Sequence, residues 1–202
     1  MSVVLSFDIG IKNLAYCLFT YNPKEEFEFD IIEWNILDVS IPQKTNVLDQ
    51  QSDKLFSILH ETFGNKEIHY VVIENQPVLK NPLMKTIQMM VYSYFKMNKM
   101  LQEEINTVCM VNAGNKLKFA FNVIYPYITK QTNEFDELPI TIINPKNKYK
   151  ETKTASIQYV KSLLTLKDLS KHLQYFNNFK KKDDLADTLL QGLYFSYTHI
   201  EQ

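Results

Sequence analysis

The apolar and polar positions along the chain alternate in blocks that predict five strand-like and four helix-like segments. Residues 3–8 form a short apolar run closed by an acid, as expected of a buried strand. After a turn at Gly10, residues 11–21 continue as a second strand. Residues 27–37 alternate Phe27, Phe29, Ile31 and Ile36 as a third. These three are expected to pair as an antiparallel meander. Val47–Phe63 has helical spacing in Val47, Leu48, Leu55, Ile58, Leu59 and Phe63, and Gly64 ends it. Residues 69–74 are another apolar run closed by an acid. Pro82 opens a long helix to about residue 104, followed by a short strand over 107–111. Residues 116–144 fit no single regular element and read as an insertion, with strand character at 140–143. A helix over 152–166, a polar connector over 173–182 and a last helix over 184–197 complete the pattern. That last helix carries Leu185, Leu189, Leu190, Leu193 and Tyr197 on one side.

Length and composition place this pattern in one compact domain over 1–202, with an insertion at about 113–143. The chain has 202 residues, 45% hydrophobic and 22% charged, enough to bury a core. No run approaches the ~20 apolar residues a membrane span needs. The start lacks a basic leader, so no signal or transit peptide is expected. Cys17 and Cys109 give neither a disulfide framework nor zinc spacing, and a reducing, cytoplasmic compartment is expected. His60, His69, His172 and His199 are scattered without metal-ligand spacing. Five of the seven methionines, Met84, Met89, Met90, Met97 and Met100, fall in the helix over 82–104, which makes it the candidate subunit interface.

Charge changes the picture more. All 22 basic residues are lysine, so any phosphate contact is made by a point charge and not by a guanidinium fork. Residues 1–143 carry 12 lysines and 17 acids, residues 144–182 carry ten lysines and two acids, and residues 183–202 carry four acids and no lysine. A basic block beside carboxylates fits a polyanion held near metal ions, with a solvated basic helix as the plainer alternative.

Four acids stand out by position. Asp8 and Glu74 each close an apolar strand, and Asp184 and Asp187 lie three apart at the start of the last helix, on one face. Carboxylates at strand ends and a helix start can converge, and hard divalent cations take oxygen ligands of this kind. The simpler roles are a turn former at Asp8 and a helix cap at Asp183 or Asp184. Glu74 resists such a role, because it follows Tyr70-Val71-Val72-Ile73 and is expected to be partly buried.

Taken together, FDIGIKNLA (7–15), VVIENQP (71–77) and KKDDLADTL (181–189) resemble the Holliday junction resolvases of poxviruses and related large DNA viruses, in the RuvC-like branch of the ribonuclease H-like nucleases. The resemblance implies an α/β fold: a mixed five-stranded sheet with an antiparallel three-strand meander and helices on both faces. It implies Asp8, Glu74, Asp184 and Asp187 as metal ligands for two Mg²⁺ ions, with Mn²⁺ substituting, and leaves Asp183 as a helix cap or a group that supports the ligands. It also implies a catalytic lysine in a basic stretch before a helix. Lys153 is favoured there and Lys150 is next, with an echo of the same pattern at Asn115-Lys116-Leu117-Lys118. Lys146, Lys148, Lys150, Lys180, Lys181 and Lys182 are the expected DNA-binding residues.

The implied activity is a metal-dependent endonuclease that resolves four-way junctions by paired symmetric nicks, leaving 5′-phosphate and 3′-hydroxyl ends. The implied state is a homodimer on branched DNA, with no membrane and no nucleotide cofactor, at a cytoplasmic site of viral replication if the chain is virus-encoded. The alternatives are a broader flap-, branch- or RNA-directed nuclease with the same metal site, and a catalytically inactive junction-binding protein. Asp-Ile-Gly-x-Lys-Asn also resembles the first phosphate motif of actin-like ATPases. The second glycine-rich loop such enzymes need is missing from the sequence.

Overall fold

The computed structural model describes residues 1–42, 47–79, 81–101, 104–131 and 149–200; the side chains of 149 and 150 are outside that description. Its frame is a mixed five-stranded sheet in the order β3-β2-β1-β4-β5. β1 (Ser2–Asp8), β2 (Leu14–Asn22) and β3 (Glu28–Leu37) are the antiparallel meander expected from the sequence. β4 (Tyr70–Asn75) pairs parallel to β1, and β5 (Thr107–Asn112) parallel to β4. The β1–β4 register places Phe7 opposite Ile73, so Asp8 and Glu74 leave the sheet level with each other at the same end. In sheets of this kind, ligands bind outside the carboxyl ends of the parallel strands.

The period of two along each strand divides the core in two. Leu5, Phe7, Val71 and Ile73 face α1 (Val47–Phe63) and α2 (Pro82–Leu101). Val4, Cys17, Phe19 and Val72 face the other layer of helices. That layer holds α3 (Ala113–Phe119), a π-helical turn (Ala120–Ile124), α4 (Tyr125–Gln131), α5 (Tyr149–Leu166), α6 (Ser170–Asn178) and α7 (Lys182–His199). The helices on both faces agree with the expected α/β class.

Two segments differ from the reading of the pattern. The stretch after Lys116 is helical as far as Gln131, and Phe119, Ala120, Ile124 and Ile128 are buried in the core. The π turn adds a residue to the helical repeat, which displaces its apolar positions from a 3.6-residue period and hides them from a periodicity reading. Residues 132–148, including the strand expected over 140–143, lie outside the described residues. The polar connector expected over 173–182 is overlapped by α6, which starts at Ser170 and is an amphipathic helix with one fully buried side chain, Phe176. Phe176 stacks on Trp34 with centroids 5.0 Å apart. Its other faces are polar because they meet water.

α7 lies close against the sheet because Gly192 has no side chain. A Cβ there would stand 2.5 Å from the ring of Phe19 and 3.1 Å from Ser6 Cβ. Phe19 is fully buried and cannot yield. Gly192→Ala would gain about 1 kcal/mol of helix propensity but overpack the site at or above the upper end of the ~1–3 kcal/mol range. The expected outcome is a net loss of about 2 kcal/mol in a urea titration, where equal or greater stability would contradict the close approach.

α2 buries Ile87, Gln88, Val91, Tyr94 and Phe95, while Met89, Met97 and Met100 are exposed. Cys17 and Cys109 are free thiols. Among the described residues, no helix is long and apolar enough to cross a membrane.

Candidate active site

Three elements converge on one point. Asp8 ends β1, Glu74 lies near the end of β4, and Asp187 is in the second turn of α7. Ligand oxygens of these three carboxylates lie within 4.8 Å of one another, which is close enough to share a metal ion. They stand in a cleft of about 700 Å³, also lined by Asp184, Lys12, Lys116, Lys153 and Lys181. The turn out of β1 needs Gly10, since a Cβ there would stand 2.4 Å from the carbonyl oxygen of Asn13. Glu74 is steadied from its own loop. Gln76 Nε2 donates to Glu74 Oε1 at 3.3 Å, and the Gln76 backbone N–H donates to the buried Gln88 Oε1 at 2.7 Å.

A lysine ammonium lies among these acids. Lys116 Nζ is 2.7 Å from Glu74 Oε2 and 2.6 Å from Asp187 Oδ2, and its side chain is only 8% exposed. It comes from α3, which starts where β5 ends: Asn112 caps the helix by accepting from the Gly114 N–H at 2.9 Å. Asn115 Nδ2 then donates to Tyr194 Oη at 3.0 Å, tying α3 to α7. The sequence pattern favours Lys153, which lines the same cleft. The signal for Lys116 was its echo of the later Asn-Lys-x-Lys block.

Electrostatics matches this crowding. Burial pushes the Asp8 carboxyl well above the usual carboxylate range; Glu74, Asp187 and Asp184 push the same way, and Lys116 pulls it back. Burial alone would lower the Lys116 ammonium, but Asp187, Asp8 and Glu74 outweigh it and hold the proton more tightly than usual. Burial, then Asp183, pushes Asp184 up to about 6 against the pull of Lys153 and Lys181. Asp183 goes the other way: burial opposes its charge, but the hydrogen bond and charge of Lys153 win and lower it.

Asp184 therefore makes stability depend on pH. Its native form binds a proton more tightly than the unfolded chain, so stability present below about pH 4 is lost as pH rises through about 6. Asp184→Asn, in EDTA, should melt above wild type at pH 7.5 and level with it at pH 4. Equal melting temperatures at both pH values would contradict the half-buried charge.

The structure thus brings Asp8, Glu74 and Asp187 together and leaves Asp184 on the wall of the same cleft. Asp183 is paired with Lys153. Lys153 and Lys181 line the cleft, Lys180 is exposed, and Lys182 Nζ donates to the Phe179 carbonyl at 2.8 Å. Lys146 and Lys148 lie outside the described residues, as does the Lys150 side chain.

Comparison with known proteins agrees with this geometry. Residues 4–78, which include Asp8 and Glu74, match the family model described as mitochondrial resolvase Ydc2 / RNA splicing MRS1. The yeast mitochondrial Holliday junction resolvase Ydc2 superposes with a TM-score of 0.58 at 20% identity, covering 97% of this chain and 79% of that one. Thermus thermophilus RuvC superposes with a TM-score of 0.59 at 13% identity, covering 96% and 93%. The fold is RuvC-like. The fowlpox virus resolvase, solved with Holliday junction DNA, superposes at 0.50 with 19% identity over 95% and 97%. An uncharacterized protein of Acanthamoeba polyphaga mimivirus is 37% identical over 143 residues, 68% of this chain. This chain spans 31% of that relative's length. The expected resemblance to RuvC-like and poxvirus-type resolvases holds, and so does the expected sheet.

Proposed function

We propose that this chain is a metal-dependent endonuclease that resolves four-way DNA junctions by paired symmetric nicks, leaving 5′-phosphate and 3′-hydroxyl ends. The observation that carries the reading is the convergence of Asp8, Glu74 and Asp187 at the carboxyl end of the parallel strands in a RuvC-like fold. The donor set fits Mg²⁺ or Mn²⁺: it is all carboxylate oxygen, and it already holds a cation, the Lys116 ammonium. Asp8, Glu74 and Asp187 would hold the ions, with Asp184 as a further ligand from the cleft wall. Divalent ions bound there supply positive charge to the attacking and leaving oxygens of an in-line displacement at phosphorus.

The remaining roles belong to side chains. Lys116, the cation nearest the acids, faces the scissile phosphate once other charge neutralises Glu74 and Asp187, and there it stabilises developing negative charge. Lys153 is the second candidate for that role and is held on Asp183 until DNA enters. Lys181 at the cleft wall and Lys180 and Lys182 beside it bind backbone phosphates, as do Lys146, Lys148 and Lys150. The protein acts as a homodimer, with the exposed methionines of α2 as the candidate interface.

The test is cleavage of end-labelled synthetic DNA: a four-way junction, a flap and a linear duplex, in Mg²⁺, Mn²⁺ or EDTA. Symmetric paired nicks on the junction alone, abolished by EDTA, are expected. Equal cutting of flap and junction would broaden the substrate, because fold and metal site do not fix it. Tight junction binding without cutting in either metal would overturn the enzyme reading. With at least six lysines on the DNA path, junction affinity should fall by about 10³-fold or more between 50 and 200 mM salt; a flat profile in a binding titration would exclude that path.

A further inference from the structure

The three metal-ligand carboxylates come from two strands and one helix, and a single buried side chain ties all three elements together. Gln191 is in α7, one helical turn after Asp187, and is 2% exposed. Its Nε2 donates to the Phe7 carbonyl at 3.0 Å, the Ser6 hydroxyl oxygen at 3.0 Å and, more distantly, the Val72 carbonyl at 3.4 Å. Phe7 immediately precedes Asp8, and Val72 lies two residues before Glu74. The amide orientation is fixed by chemistry, since only its nitrogen can face two carbonyl oxygens. Gly192 lets the helix come close enough for this reach.

From this geometry we infer that Gln191 is a positioning residue for the metal centre. It sets the distance of Asp187 from Asp8 and Glu74, and so the affinity of the acidic cluster for a divalent ion. The inference rests on the metal-dependent reading above. A purely stabilising role fits Gln191 poorly. Among the described residues its Oε1 has no donor, and a buried acceptor left unpaired weakens the fold. The Phe7 and Val72 residues are already members of the strand ladder, and a second bond to their carbonyls is not needed to keep the sheet. What the amide adds is a link from helix to strands at the level of the ligands.

The experiment measures Mn²⁺ binding to the full chain by isothermal titration calorimetry, with melting curves in EDTA. The variants are Gln191→Met, which keeps length without donors, and Thr188→Val. Thr188 is the control because it lies on the same helix, while its hydroxyl accepts from Trp34 of β3 and donates to the Leu185 carbonyl, with no hydrogen bond to β1 or β4 among the described residues. Gln191→Met is expected to weaken Mn²⁺ binding roughly tenfold or more, as loss of a group supporting metal ligands does. Its melting temperature should stay within a few degrees of wild type, and Thr188→Val should bind as wild type does. Unchanged affinity in Gln191→Met, or equal weakening in Thr188→Val, overturns the inference and leaves the metal reading standing. No Mn²⁺ binding by wild type overturns the metal reading and the inference with it. If Gln191→Met does not fold, Gln191→Asn keeps an amide in the core but is one methylene too short for both carbonyls; the same loss is expected.

Discussion

Replacing Lys116 with methionine should destabilise the metal-free protein by about 3–5 kcal/mol, the range for removing one partner of a buried ion pair. The variant keeps the length and apolar stem of the side chain and removes only the ammonium. Glu74 and Asp187, which hold that ammonium at 2.7 and 2.6 Å, then face each other and Asp8 without it. Their side chains are 12% and 22% exposed, so water screens them little. For a domain of about 200 residues, that loss lowers the melting temperature by roughly 6–20 °C. Divalent metal should restore much of it, because an ion that binds only the native state stabilises by mass action. It should do so more strongly than in wild type, where Lys116 competes for the same oxygens. Differential scanning fluorimetry of both proteins across a Mn²⁺ series reads both effects. A variant that melts with wild type in EDTA would show that the ammonium is not in the cluster. A variant whose Mn²⁺ stabilisation is no larger than wild type would show that lysine and metal do not compete.

The acids were legible in the sequence because strand and helix ends announce themselves. Asp8 and Glu74 each close an apolar run, and Asp184 and Asp187 share a helix face. What period and motif cannot give is the choice between Asp184 and Asp187 as partner to the strand acids. That choice depends on how α7 is rotated on the sheet, which Gly192 and Gln191 set through contacts with residues 119 to 186 positions away in sequence. The lysine that lies among the acids was half legible. Two copies of Asn-Lys-x-Lys stand in the chain, and only the fold shows that the first projects from a helix capped at the end of β5 into the acids. Lys153, favoured by its spacing to the following helix, lines the same cleft and is paired with Asp183. α6 was missed because a nine-residue helix with one buried aromatic looks like a polar loop. The helix past Phe119 was missed because the π turn breaks its period.

Asp8→Asn should separate the site from the fold. The substitution is nearly isosteric and removes one charge from a place where burial and three other acids oppose it. The raised native pKa fixes the sign: wild type loses stability from this group as pH rises above the ordinary carboxylate range, and the amide does not. In EDTA at pH 7.5 the variant should therefore melt above wild type, and the difference should close near pH 4. Metal should reverse the order. On the proposed reading Mn²⁺ should turn the same carboxylate from a liability into a ligand, so wild type should gain stability that the amide cannot match. Junction cleavage should fall by about 10²–10³-fold or more, the scale of losing one group that organises charge at the reacting phosphate. The combination is diagnostic: a variant better folded without metal, less stabilised by it, and inactive. A variant that melts below wild type in EDTA, or that cleaves normally, would show that Asp8 serves the turn after β1 and not a metal centre.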